Sequence, residues 1–231
     1  MNQLIVTLDG PAGSGKSSVA RLLAKRLGLE FLDTGAMYRG ITARVLHRGI
    51  DPVEEPHDVV ELARHTQMSF DWEQDPPRLF VDGKDMTDRI RDRDVTGNAS
   101  DVAALSGVRQ VLVTMQQQIG RDHPQLVTEG RDQGSVVFPG ANVKFYLDAT
   151  PEIRAERRVK QLHDAGKQAD FEQIRRDIIE RDHKDSSRED SPLMCPEDAI
   201  HVDTSQMTRE EVIEHLETVV REKMGMPAAN G

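Results

Sequence analysis

The chain has 231 residues, 37% of them hydrophobic and 30% charged, a balance typical of a globular domain with a substantial core. The formal net charge of −10 disfavours general binding to nucleic acid. No apolar stretch approaches the length of a membrane span, and the single cysteine, Cys195, excludes an internal disulfide. We therefore expect a cytoplasmic protein with neither a membrane nor a nucleic acid as a partner. The sequence does not determine the oligomeric state, and we take a monomer as the expectation.

The first predicted elements are a buried strand and an amphipathic helix, joined by a glycine-rich loop. LIVTLD (4–9) is apolar-rich, and apolar residues recur at spacings of three and four from Val19 to Leu27. Between them GPAGSGKSS (10–18) fits the phosphate-loop pattern G-x-x-x-x-G-K-[ST]. Such a loop directs backbone N–H groups at phosphate oxygens, at the positive end of a helix.

This loop predicts the binding of a nucleoside triphosphate, because lysine and serine stand at its fixed positions. Lys16 can reach the β- and γ-phosphates as a catalytic residue, and the Ser17 hydroxyl is placed to meet Mg²⁺. Ser18 beside it is the alternative for the magnesium role. The predicted ATP-binding residues are Gly10, Pro11, Ala12, Gly13, Ser14, Gly15, Lys16, Ser17 and Ser18.

Strand and helix then alternate along the chain. The patterns predict strands over 30–35, 125–130, 143–149 and 199–204, and helices over 36–47, 56–65 and 95–121. Thr150-Pro151 marks a further helix start, and Thr208-x-x-Glu211 forms a capping box for a final amphipathic helix. This order predicts an α/β three-layer fold with a five-stranded parallel sheet covered on both faces.

Residues 69–87 depart from this alternation. Apolar and polar side chains alternate there, and Asp75-Pro76-Pro77 and Asp82-Gly83 are turn signals. Two prolines make a central parallel strand unfavourable. The segment is predicted to be a small antiparallel meander inserted outside the main sheet.

Phosphate loops serve several classes of protein, so other motifs must decide between them. The Asn-Lys-x-Asp motif with which GTPases read guanine does not occur in the sequence. LSGVRQ (105–110) is similar to the LSGGQ signature of transporter ATPases, but QLVTEG (125–130) lacks the long apolar run ending in Asp-Glu that should follow. A small-molecule kinase instead needs a second anion site for its acceptor, at the carboxyl ends of the strands. Polar and basic residues follow two of the predicted strands: Thr34, Arg39, Arg131 and Asp132.

Together these segments resemble the bacterial cytidylate kinases, a family of nucleoside monophosphate kinases. The resemblance covers nearly the whole chain and rests on LDGPAGSGKSS, LDTGAMYRG, NASDVAALSGVR, EGRDQGSVVFPGANVKFYLDA and ERDHKDSSR, in that order. It implies one kinase domain with a core over 1–66, 88–150 and 170–225. It also implies a monophosphate-binding β insertion over about 67–87 and an arginine-bearing lid over about 151–169.

The resemblance also implies roles for single residues. Thr34, Arg39 and Arg131 would bind the acceptor phosphate, with Tyr38 in the same CMP site, and Ser100, Arg109 and Asp132 would read the base. Arg181, Asp185 and Arg188 would contact the sugar and neighbouring groups, and the catalytic lid residues would be Arg154, Arg157 and Arg158, which act with Lys16.

The implied reaction is ATP plus CMP or dCMP to ADP plus CDP or dCDP, with Mg²⁺. No general base is needed, because a phosphate monoester is already largely ionised at neutral pH. Two alternatives stay open. The chain could phosphorylate another small acceptor, such as a different nucleotide or a hydroxylated acid, or it could be a nucleotide-dependent switch or ATPase without a small acceptor.

Overall fold

The computed structural model describes residues 3–227, in two compact units. One unit contains the residues up to Glu30 and those from Gln125 onwards, and the other runs from Phe31 to Pro124. The strands are β1 (Leu4–Asp9), β2 (Glu30–Asp33), β3 (Met68–Asp71), β4 (Arg78–Val81), β5 (Lys84–Asp85), β6 (Gln125–Glu129), β7 (Val143–Asp148) and β8 (Ile200–Asp203). The helices are α1 (Lys16–Leu27), α2 (Thr34–His47), α3 (Pro56–Arg64), α4 (Arg93–Ala104), α5 (Ser106–Asp122), α6 (Pro151–Asp164), α7 (Phe171–Ser186) and α8 (Arg209–Met224).

The main sheet has five strands in the order β2-β6-β1-β7-β8, all parallel. Every residue of β1 is buried, as expected for the central strand of a sheet covered on both faces. Leu8 of β1 lies opposite Glu129 of β6 on one side and Phe145 of β7 on the other. The predicted α/β fold with a five-stranded parallel sheet is therefore confirmed.

The helices of the first unit begin where the sequence provides caps. The Thr150 hydroxyl accepts a hydrogen bond from the Ile153 N–H at the start of α6. Thr208 and Glu211 form the predicted capping box of α8, with both reciprocal hydrogen bonds present. These caps fix the two helices that directly follow β7 and β8.

The second unit contains the predicted antiparallel meander. β3 and β4 pair in antiparallel fashion from Met68↔Val81 to Asp71↔Arg78, and β4 pairs with β5 at Phe80↔Asp85. Leu79 and Val81 pack into a small hydrophobic core with Ala36 and Ile90. The meander is a separate three-stranded sheet, as the prolines of its turn predicted.

Two boundaries differ from the predicted ones. The second strand ends at Asp33, because the Asp33 carboxylate accepts a hydrogen bond from Ala36 N (2.9 Å) and starts α2 at Thr34. The helical pattern over 95–121 is two helices, since Leu105 between α4 and α5 has an extended backbone.

Candidate active site

The loop after β1 has the conformation of a phosphate cradle. Gly10 has a φ of 143°, and a Cβ there would lie 2.0 Å from the Leu147 carbonyl oxygen, so only glycine fits. Gly15 has a φ of 90° and directly precedes α1, whose positive end therefore points into the loop. The loop backbone and the helix end can both bind an anion.

Lys16 is buried within this loop, with 4% of its surface exposed. Its Nζ donates hydrogen bonds to the Pro11 carbonyl (2.6 Å) and to the Ser14 hydroxyl (3.3 Å). Burial and the positive charge of Arg131 lower the pKa of Lys16 to about 7, against the opposing effect of Glu129. A phosphate group in the loop would add negative charge and favour the charged form of the lysine.

Ser17 and Ser18, the two candidates for the magnesium role, have different partners. The Ser17 hydroxyl donates to Glu129 Oε1 at 2.6 Å, whereas the Ser18 hydroxyl donates to the Gly15 carbonyl at 3.0 Å. Glu129 is the last residue of β6 and is 5% exposed. A hydroxyl beside a buried carboxylate is an oxygen pair that suits Mg²⁺, which takes few protein ligands when substrate phosphates supply the others.

Glu129 is not among the functional residues that the sequence motifs predict. Its signal is nonetheless present, because an acidic residue at the carboxyl end of a strand stands at the edge where ligands bind in parallel sheets.

Arg131 follows Glu129 and belongs to an ion-pair cluster with two other predicted residues. Arg131 Nε donates to Asp185 Oδ2 at 2.8 Å, and Arg188 binds the other oxygen of Asp185. Burial alone would raise the pKa of Asp185, which is 1% exposed, but the charges of Arg131, Arg188 and Arg181 hold it below its usual range. Arg131 and Arg188 thus share one carboxylate, on which the charge of Arg181 also acts.

Asp132 is 3% exposed and directly precedes a single π-helical turn over Gln133–Val137. Its side chain does not cap this turn. The first N–H groups of the turn instead donate to the carboxylate of Asp9, at the end of β1.

The three arginines predicted for the lid lie on α6 and differ strongly in their surroundings. Arg154 is 3% exposed, donates to the carbonyls of Ala149 (2.8 Å) and Ala12 (3.0 Å), and pairs with Asp182 at 2.6 Å. Arg157 donates to the hydroxyl (3.0 Å) and carbonyl (2.6 Å) of Thr204.

Arg158 is exposed, and its partner is Gln161 on the same helix, at 2.6 Å. The three side chains therefore do not form one cluster, and Arg154 connects the phosphate loop to β7 and α7.

The second unit brings together its own predicted residues. The Arg109 guanidinium lies 5.3 Å from the centre of the Tyr38 ring and donates to the Ala103 carbonyl at 3.1 Å. Both residues are buried, and the half-buried Ser100 lies one turn before Ala103 on α4. Arg109 of α5 therefore contacts a side chain of α2 and the backbone of α4 within this unit.

Thr34 and Arg39 lie at the start of α2 in the same unit. Thr34 is 2% exposed, and Arg39 Nη2 pairs with Asp33 Oδ2 at 2.9 Å. A Cβ on Gly35 would lie 2.9 Å from Arg39 Nη1, so glycine leaves space for this guanidinium. The arginine is therefore held over the first turn of the helix.

Within residues 3–227, no three His, Cys, Asp or Glu side chains are grouped in a way that could hold a metal ion by themselves. No helix in this described part of the chain is long and apolar enough to cross a bilayer.

A glycine-rich loop around a buried lysine, after the central strand of a parallel sheet and beside an arginine cluster, defines a P-loop kinase. A model of the cytidylate kinase family matches residues 6–222. The chain belongs to this family, as its motifs predicted.

Individual relatives agree with the family model. The chain is 44% identical over 222 residues to the cytidylate kinase of Mycolicibacterium paratuberculosis, covering 96% of this chain and 97% of that protein. It is 41% identical over 216 residues to the cytidylate kinase of Clostridioides difficile, covering 94% and 97%.

Among solved structures, an uncharacterised protein from Eubacterium ventriosum aligns with a TM-score of 0.52 at 9% identity. The alignment covers 96% of this chain and 99% of that one. This likeness concerns the fold alone.

Proposed function

We propose that the chain transfers a phosphoryl group from ATP to CMP and dCMP, giving ADP and CDP or dCDP. Membership of the cytidylate kinase family supports this proposal. The structural observation that carries it is the parallel pairing of β1 with β6, in which Leu8 lies opposite Glu129. The phosphate loop follows β1 and the Arg131–Asp132 turn follows β6, so the two begin at the same edge of the sheet. Donor and acceptor groups of such a kinase must meet at this edge of a sheet.

On the donor side, the loop N–H groups and Lys16 would hold the triphosphate, assisted by the positive end of α1. Ser17 and Glu129 are the residues that would hold Mg²⁺, directly or through its water molecules. The ion would neutralise charge on the phosphates during transfer. Lys16 would stabilise the charge that develops on the migrating group.

On the acceptor side, we assign the phosphate to Thr34, Arg39 and Arg131. The planar guanidinium groups can bind phosphate oxygens bidentately and stay charged. The acceptor oxygen is already ionised at neutral pH, so the residues need to overcome charge repulsion and align the two nucleotides rather than remove a proton.

We assign the base to Asp132, Arg109 and Ser100. The exocyclic amino group of cytosine is a donor, and an ionised carboxylate can only accept. Uracil has a carbonyl oxygen at the same place, which would face the Asp132 carboxylate without a proton between them. Arg181, Asp185 and Arg188 would contact the sugar and its neighbouring groups, and Tyr38 would belong to the same CMP site. The residues of the closing lid would be Arg154, Arg157 and Arg158.

The test is a coupled assay of ADP formation with purified protein and a panel of acceptors: CMP, dCMP, UMP and a hydroxylated acid such as shikimate. We expect CMP and dCMP to accelerate ADP formation strongly, and Lys16→Ala to remove this acceleration. Faster turnover with another acceptor would identify a different small-molecule kinase. ATP hydrolysis that no acceptor changes would identify a switch or ATPase.

The cytoplasmic location and the monomeric state remain parts of the proposal. Sedimentation of the protein across a range of concentrations would test the second.

A further inference from the structure

The carboxylate of Asp9 binds two consecutive backbone N–H groups of the turn that follows Asp132. Asp9 is the last residue of β1 and is 1% exposed. Its Oδ1 accepts from Gln133 N at 2.8 Å and its Oδ2 from Gly134 N at 2.7 Å. Both oxygens of a buried carboxylate are thus used on one short piece of backbone, in charge-assisted hydrogen bonds.

These two N–H groups are the ones that a helical turn leaves without an internal acceptor. The turn is closed by Val137 N donating to the Asp132 carbonyl (3.1 Å) and by Phe138 N donating to the Gln133 carbonyl (2.7 Å). Its first N–H groups are therefore capped by a residue 124 positions earlier in the chain. Asp9 supplies this cap, and the Asp132 side chain takes no part in it.

The turn also has little room to move. A Cβ on Gly134 would lie 2.9 Å from Thr7 Oγ1 and 3.1 Å from the Lys144 side chain. Thr128 Oγ1 donates to Gln133 Oε1 at 2.9 Å, within the same buried region. The backbone around Asp132 is thus pressed against β1 and β7 and is held by two hydrogen bonds from one side chain.

Resting on the proposed function, in which Asp132 reads the base, we infer that Asp9 is a positioning residue for base selection. Hydrogen-bond discrimination between cytosine and uracil requires the Asp132 carboxylate to stay in place, and Gln133 N is in the peptide bond that joins it to Asp132. Asp9 also directly precedes Gly10, the first residue of the phosphate loop. One side chain thereby connects the strand of the donor loop to the turn that recognises the acceptor.

The surroundings of Asp9 act on its ionisation in opposite directions. Burial raises its pKa to about 7, while the N–H groups of Gly134 and Gln133 and the charge of Lys16 lower it and Asp132 raises it. An asparagine would keep the size of the side chain but have one acceptor oxygen, and its NH₂ group would face one of the two N–H donors.

The experiment measures kcat and KM for CMP, UMP and ATP in Asp9→Asn and in the parent protein, with folding checked by circular dichroism. We expect the ratio of kcat/KM for CMP to that for UMP to fall about tenfold, mainly through a higher KM for CMP, while the KM for ATP stays within about twofold. Equal losses for CMP and UMP, or an equal rise in the KM for ATP, would overturn the inference.

Two matched variants separate positioning from general stability. Thr128→Val removes a buried hydrogen bond to the same turn through the Gln133 side chain, and should lower Tm without changing the CMP-to-UMP ratio. If Thr128→Val lowers the CMP-to-UMP ratio as far as Asp9→Asn does, any loosening of the turn is sufficient to weaken base selection. Asp9 would then have no specific positioning role. If Asp9→Asn does not fold, Asp9→Ser, which shortens the side chain and leaves it one oxygen for the two N–H groups, should narrow the same ratio; an unchanged ratio there would also overturn the inference.

Asp132→Asn distinguishes failure of this inference from failure of the proposed base reading. If Asp132→Asn leaves the ratio unchanged, Asp132 does not read the base and both ideas fail. If Asp132→Asn narrows the ratio and Asp9→Asn does not, only the inference fails. In the double variant, Asp9→Asn should change the ratio by less than twofold beyond Asp132→Asn, because both act through one side chain.

Discussion

Replacing Lys16 by methionine should stabilise the nucleotide-free protein while it abolishes turnover. Burial and the charge of Arg131 lower the pKa of this lysine from 10.5 to about 7. At about 1.4 kcal/mol per pH unit, the difference amounts to about 4 kcal/mol of unfavourable free energy at pH 7. The charged group is therefore held in the loop against its preference for water.

Methionine is of similar length and carries no charge, so it removes this penalty, but it also removes favourable contacts. The Pro11 carbonyl and the Ser14 hydroxyl lose their lysine donor, and at about 1 kcal/mol for each unsatisfied acceptor the loss is about 2 kcal/mol. The net gain should be about 2 kcal/mol, which for a chain of this size raises Tm by about 4–8 °C.

The stability gained by Lys16→Met should decrease as the pH rises above 7. Between pH 7 and 10.5 the unfolded lysine binds a proton that the folded lysine has largely lost, so the stability of the parent protein rises with pH. Lys16→Met lacks this contribution. The stability difference between the two proteins should be largest at pH 7 and below, and should shrink as the pH approaches 10.

Thermal unfolding followed by circular dichroism at several pH values, in buffers without nucleotide or phosphate, measures this difference. Lys160→Met is the control, because Lys160 is 81% exposed and 4.0 Å from Asp164, and should change stability by less than about 0.5 kcal/mol. The ADP assay should show kcat for Lys16→Met reduced about 100-fold or more. A variant less stable than the parent at pH 7, or a difference that pH does not change, would refute the reasoning.

Three other predictions concern neighbouring side chains. Glu129→Gln should lower kcat about tenfold or more and raise the Mg²⁺ concentration needed for half-maximal turnover, since it weakens the support of the ion; an unchanged Mg²⁺ titration would contradict its role. Arg154→Met should destabilise the protein by about 3–5 kcal/mol, because Asp182 keeps a largely buried charge, whereas Arg158→Met should lower kcat at an unchanged Tm. Asp185→Asn should be less stable than the parent at pH 7, and the difference should shrink as the pH falls toward the lowered pKa of Asp185, where the parent also loses the charge; a difference that does not shrink at all below about pH 4 would count against this account.

The main sheet could be predicted because its signals are local. LIVTLD forms β1 as the apolar run predicted, and Thr208 with Glu211 starts α8 as the capping box predicted. Other elements lack such signals. α7 buries only Ile178 and Asp185, so no apolar periodicity marks it in the sequence. The break at Leu105 contains no proline; the neighbouring Gly107 packs so closely on Val60 that a Cβ would lie 2.5 Å away, a contact that local patterns do not encode.

The residues of the candidate site also differ in whether a local sequence signal predicts them. The phosphate-loop residues follow from a fixed spacing, and the roles proposed for Arg131 and Asp132 rest on family motifs. The partners of these residues could not be predicted, because they lie far away in sequence. Asp9 is 124 residues from Gln133, and Ser17 is 112 residues from Glu129. Only the parallel pairing of β1 with β6 brings these side chains together.

The arginines of α6 show why burial matters for assigning roles within one motif. A side chain can follow a substrate only if it leaves its present partners at a modest free-energy cost. Arg154 would have to break a largely buried ion pair and two hydrogen bonds to carbonyls, and separating a buried pair costs several kcal/mol. Arg158 would leave one hydrogen bond to Gln161 at the surface, where water replaces the lost partner and the cost is about 1 kcal/mol or less. Arg157, with two hydrogen bonds to Thr204, lies between these limits. Of the three, Arg158 is therefore the one whose motion toward a phosphoryl group requires the least binding energy, and Arg154 is the one whose motion requires the most.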